Sequence, residues 1–144
     1  MQLLAVIEQE QRVVDDTAGD CFAACLASIL EVPLEQVPNP HGHDWMHVLD
    51  RWLWETRRLA AVLVHADDTK LWSYPGKVLA IASIPSAMFE GKTHAVVWDL
   101  VRGEVRWDPS PTRDARGGEY PKPLRFWLLA HADAPSVTIE EESA

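Results

Sequence analysis

The alternation of apolar and polar residues changes its period part-way along the chain. In the first part, CFAACLASIL at 21–30 is small or apolar throughout, with no charge between Asp20 and Glu31. That is the pattern of a helix that meets protein on both sides rather than along one stripe. Asp20 stands where a capping residue belongs, and Pro33 forbids continuation. PLEQVP predicts a short turn or helix between two prolines, and NPHGHD a loop. Over 44–58, DWMHVLDRWLWETRR puts Trp45, Val48, Leu49, Trp52 and Leu53 at helical spacing. Asp50, Arg51, Glu55 and Arg58 fall on the polar side, and Asp44 is the expected cap.

Beyond these helices the runs become short and rich in β-branched and aromatic residues. AAVLVH at 60–65, KVLAIAS at 77–83, THAVVWDL at 93–100, EVRWD at 104–108 and LRFWLLA at 124–130 are predicted strands separated by turn signals. Arg102-Gly103 marks a hairpin turn between the third and fourth. The opening MQLLAVI is a short edge strand or an extended arm, followed by a polar approach, QRVVDDTAGD. Helices first and strands later predict an α+β domain in which N-terminal helices pack on a mostly antiparallel sheet. A chain of 144 residues is one ordinary domain. Its expected extent is 1–132, with 133–144 an acidic tail.

Charge and cysteine usage narrow the function classes. With 22 acidic against 13 basic residues the net charge is −9, and the arginines are scattered, which argues against nucleic acid as a partner. No stretch approaches the roughly 20 apolar residues of a membrane span, and the first residues lack the basic lead of an export signal. Cys21 and Cys25, one turn apart on a helix, are badly placed to bridge each other, so a reducing compartment, the cytoplasm, is the expected setting.

The position of Cys21 carries the candidate chemistry. A thiol in the first turn of a helix faces open backbone N–H groups and the positive end of the helix dipole, both of which favour the thiolate. A thiolate nucleophile needs a base, and His94 is the best candidate because it opens a strand whose other residues are mostly apolar. Fourteen residues later, at the end of the next strand, comes Asp108. In an antiparallel hairpin turned by Val101 to Gly103, the start of one strand lies beside the end of the other. His94 and Asp108 are thereby brought within reach of one hydrogen bond, which would set the tautomer and orientation of the imidazole.

GDCFAACLASIL, THAVVWD and VRWDPSP together resemble the papain-like cysteine peptidases, most of all the small bacterial branch that includes the leader peptidases of bacteriocin exporters. The likeness spans roughly residues 9–112. It implies a compact papain-like fold with Cys21 as nucleophile, His94 as base and later acid, and Asp108 as orienter. That family usually carries a glutamine a half-dozen residues before the cysteine, to help bind the oxyanion. Here Val14, Asp15 and Asp16 occupy that region, and Gln11, or else Gln9, is the expected substitute alongside the Cys21 N–H. The implied function is hydrolysis of a peptide or amide bond through a thioester, on a peptide or protein substrate and without a cofactor. Isopeptidase and acyltransferase activity use the same machinery. The alternative is an inactive papain-like module that binds peptide or protein in the same cleft.

The remaining reactive side chains have plainer expected roles. Cys25, beside Ala24 and Leu26, is a small core residue. His41, His43, Asp44 and His47 form a rival cluster with the composition of a zinc or nickel site, although Asp44 is already the expected cap. His65 and His131 lie at strand ends without a partner by spacing. Trp45, Trp52 and Trp127 have core-like spacing. Trp98 shares a face with His94 by period two, and with Trp107 it flanks the proposed dyad.

Overall fold

A computed structural model describes residues 10, 20–42, 44–65, 79–87, 89–112 and 118–131. The opening apolar run, both candidate oxyanion glutamines and the acidic tail lie outside the described residues. The first helix, α1, is Cys21–Leu30, and Ala23 through Ser28 are buried along it. Small side chains let it lie close to its neighbours on every side. Ser28, the polar residue of that run, hydrogen-bonds back to the Ala24 carbonyl at 2.8 Å. Glu31 ends the helix in the left-handed region at φ 59°, its N–H reaching the Ala27 carbonyl, and Pro33 follows. A single 3-10 turn, Leu34–Gln36, buries Leu34.

The second helix, α2, is Trp45–Arg57, and Arg58 terminates it at φ 55°. Its apolar stripe is narrower than the spacing predicts. Leu49 and Leu53 are buried, Trp45 and Trp52 pack partly, and Val48 is 38 % exposed at the stripe's edge. The two expected caps also differ from the prediction. Asp20 and Asp44 occupy the N-cap positions, but neither side chain caps its helix. Their backbones, at φ −115° and −103° with ψ near 20–30°, lie outside the extended conformation from which a cap side chain turns onto the first free N–H groups.

Five strands follow among the described residues: β1 Leu59–His65, β2 Leu79–Pro85, β3 Thr93–Asp99, β4 Glu104–Trp107 and β5 Arg125–His131. They form one sheet in the order β1-β5-β2-β3-β4, with every neighbouring pair antiparallel. The architecture is thus α+β. Strand alternation divides the core by face. Ala95 and Val97 of β3, Ile81 of β2 and Trp127 of β5 join the helical residues Ala23–Ala27, Leu49 and Leu53 in one cluster. Val96, Ala80, Ala82, Ile84, Phe126 and Leu128 form a second cluster on the opposite face. Helix α1 lies against β3 and β2, and α2 against β1. Among the described residues no helix is long and apolar enough to cross a membrane.

Candidate active site

Cys21 is the first residue of α1 and is partly exposed, whereas Cys25 one turn later is fully buried. The Ala24 N–H donates to the Asp20 carbonyl at 2.9 Å, so the N–H groups of residues 21–23 precede the first intrahelical bond, at the positive end of the helix.

The β3–β4 hairpin sets the other half of the site. Asp99 at its turn accepts the N–H groups of Val101 and Arg102, both at 2.9 Å, and Gly103 closes it at φ 68°. A register shift between Val97 and Trp98 follows, and pairing with β4 ends at Val97 opposite Trp107. Among the described residues the first half of β3, including His94, therefore has no strand on that edge, and the chain leaving β4 passes beside it. Asp108 is the first residue of that segment. Its Oδ1 accepts the Ser110 N–H at 2.9 Å and the His94 Nε2–H at 2.7 Å, while its Oδ2 accepts the Tyr120 hydroxyl at 3.0 Å. Both carboxylate oxygens are satisfied, in a position where the Asp108 side chain is 1 % exposed and that of His94 12 %.

The electrostatics match this geometry. Burial by itself would push the His94 imidazolium to lower pKa. The hydrogen bond to Asp108, a hydrogen bond with Cys21 and the charges of both groups outweigh burial and raise it to about 9. Burial would likewise raise Asp108, but the His94 hydrogen bond, the Ser110 N–H, the His94 charge and the Tyr120 hydroxyl together hold its carboxyl below the ordinary value. With Nε2 committed to Asp108, Nδ1 is the ring nitrogen left to meet Cys21. Burial, then the charges of Cys21 and Asp108, push the Cys25 thiol well above its ordinary value, so it stays protonated. Cys21, His94 and Asp108 are thus brought together as one chain of contacts that reaches from the helix start to the end of the hairpin.

The other candidates part company here. Gln11, Gln9 and His43 lie outside the described residues. Among the described residues no group of three or more His, Cys, Asp or Glu side chains is placed to hold a metal ion. Trp98 turns to the face away from the helices and packs edge-on against Phe126, 5.8 Å between centroids, where it joins the second core cluster. Trp107 is buried in the helix-side core. Compared with known proteins, the chain matches no family model, no curated protein and no solved structure. Three residues of the site escaped the sequence. Ser110 is legible in retrospect, because Asp-Pro-Ser is a turn in which the aspartate caps the N–H two residues on. Asp99 plays the same part at the hairpin. Tyr120 had no local signal, since it reaches Asp108 across twelve residues of chain.

Proposed function

We propose that this chain is a papain-like cysteine hydrolase that cleaves a peptide or amide bond in a reducing compartment such as the cytoplasm. The observation that carries this reading is the 2.7 Å hydrogen bond from His94 to an ionised, fully hydrogen-bonded Asp108, with Cys21 at the helix start acting on the same imidazole. The Cys21 thiolate attacks the substrate carbonyl, and a C–S bond forms as negative charge develops on the carbonyl oxygen. The Cys21 N–H at the helix start, with a side-chain amide from Gln11, stabilises that oxyanion. Collapse breaks the C–N bond while the His94 imidazolium gives its proton to the leaving amine. Water then attacks the thioester, neutral His94 takes its proton, the C–S bond breaks, and acid and thiolate are released. Asp108 holds the ring in the tautomer that directs Nδ1 at sulfur and stabilises the imidazolium.

The test is intact-mass analysis during exposure to dilute iodoacetamide at pH 6, with peptide mapping of the adduct. Cys21 is expected to label far faster than Cys25, and His94→Ala to slow it. A relic that only binds peptide labels slowly at both. Equal rates at the two cysteines in the folded protein would refute the hydrolase reading.

A further inference from the structure

On the face of the sheet that carries α1 stands a cation whose shielded N–H has no acceptor among the described residues. Arg125 opens β5 two residues before Trp127, so the pleat puts both on the side that the helices cover. Its guanidinium lies over the Trp127 ring, 5.5 Å from Cζ to the centroid. Its Nε is shielded from solvent and meets no acceptor among the described residues. A shielded donor of this kind is costly until an acceptor arrives, and stacking on an indole does not satisfy an N–H.

Strand register places this group relative to the strand that His94 opens. Arg125 stands opposite Ser83, and Ser83 opposite Ala95, the neighbour of His94. Two inter-strand steps of about 4.8 Å separate the backbones of Arg125 and Ala95 by roughly 10 Å. From the helix side, Phe22, which follows Cys21, sets its ring edge-on to Trp127 at 5.1 Å. Trp45 closes the trio at 5.2 Å from Phe22 and 6.1 Å from Trp127. Cys21 and the guanidinium therefore border one aromatic patch. An extended peptide advances roughly 3.4 Å per residue, so two or three residues span the gap.

We infer that Arg125 binds a carboxylate of the substrate two to three residues from the carbonyl that Cys21 attacks, with the Phe22–Trp127 patch supporting the chain between them. This rests on the hydrolase reading and deepens it by giving the substrate class, a peptide with an acidic side chain or a free C-terminus near the scissile bond. A planar guanidinium held on an indole is suited to a carboxylate, which it can grip through two parallel hydrogen bonds. The net charge of −9 repels anions in general, so a preference for a carboxylate has to come from a local cation.

Chloroacetyl peptides test this without requiring turnover, because they alkylate a thiol in one step that forms C–S and releases chloride. Chloroacetyl-Gly-Glu-amide is compared with chloroacetyl-Gly-Gln-amide, and chloroacetyl-Gly-Gly acid with its amide, following the Cys21 adduct by mass. The carboxylate member of one pair is expected to label about fivefold faster or more, as one charge-assisted contact provides, and that pair tells a side chain from a terminus. Arg125→Gln brings the ratio to about one, whereas Arg102→Gln, which removes a charge in the β3–β4 turn, keeps it. Should Arg125→Gln melt below the assay temperature, Arg125→Lys carries the test through a lowered ratio, since lysine keeps the charge and loses the fork. Fast, His94-dependent labelling with a ratio near one in the wild type, or a ratio that survives Arg125→Gln, overturns this inference alone. Labelling of Cys21 no faster than a free thiol overturns the hydrolase reading beneath it.

Discussion

The first and second turns of α1 each carry a cysteine, and the two are in opposite physical states. Cys21 sits at the helix start, partly exposed, in contact with an imidazole whose positive charge is sustained by Asp108. Cys25 is enclosed by the core, 0 % exposed, and the negative charges of Cys21 and Asp108 disfavour its ionisation further. The surroundings of each thiol are therefore set not by residue type but by one helical turn of displacement. That turn decides whether the thiol faces N–H groups and a cation or sits in apolar surroundings beside anions.

The harshest way to break the contrast is Cys21→Ser. Fast labelling and turnover are expected to vanish while the melting temperature stays close to wild type, because the change is nearly isosteric at a partly exposed site; residual fast labelling in a peptide map would transfer the nucleophile elsewhere. His94→Ala comes next. Without the imidazolium, alkylation of Cys21 at pH 6 is expected to fall by about tenfold or more, and turnover by 10²-fold or more, the usual size of a general acid–base contribution. A midpoint of labelling against pH that does not move in this variant would mean that His94 is not the partner.

Asp108→Asn probes the same contrast through a group that never touches sulfur. The amide can still hydrogen-bond the ring, but it neither favours the imidazolium nor guarantees the tautomer, so labelling at pH 6 slows and turnover falls by more than stability loss accounts for. If Asp108 served only its turn, thiol reactivity would be untouched and the cost would be about 1 kcal/mol in a denaturant titration.

Stability against pH gives a milder signature with a definite sign. The folded pKa of His94, raised to about 9 from 6.5, means that its contribution is whole below 6.5 and lost as pH rises through about 9. Asp108 is lowered from 3.8, so its contribution is present above 3.8 and lost as pH falls through the depressed folded value. The urea midpoint of wild type minus that of His94→Ala should accordingly be largest between pH 3.8 and 6.5. A difference flat from pH 4 to 10 would contradict the pairing. The smallest expected effect is that of Cys25→Ala, which leaves Cys21 labelling at its wild-type rate and costs about 1–2 kcal/mol for the sulfur removed from a packed site.

Much of this molecule is legible as local pattern. The uncharged run after Asp20 specifies a helix buried all round, and the short β-branched runs specify five strands close to where they lie. The pairing of His94 with Asp108 also follows locally, because a tight hairpin turned near Gly103 has few registers and each places the start of β3 near the end of β4. The side-chain caps were misjudged because a capping residue type says nothing about its own backbone angles. Trp98 lies where period two puts it: His94, Val96 and Trp98 stand opposite Ile84, Ala82 and Ala80, and Trp98 meets Phe126 on that face.

What the sequence by itself determined is therefore the class of each segment and the chemistry available at its ends: a thiol opening a helix, an imidazole opening a strand, a carboxylate closing a hairpin. Those are nearest-neighbour properties, governed by periodicity, turn chemistry and helix polarity. Only the tertiary structure decided that β5, the last of the described strands, enters between β1 and β2, which sets Arg125 beside Ser83 and Trp127 beneath Phe22. It also decided that Tyr120 reaches the second oxygen of Asp108. Contacts of this kind join segments far apart in the chain, and their free energy comes from area buried and polar groups satisfied once all layers close together, a sum that no local stretch contains.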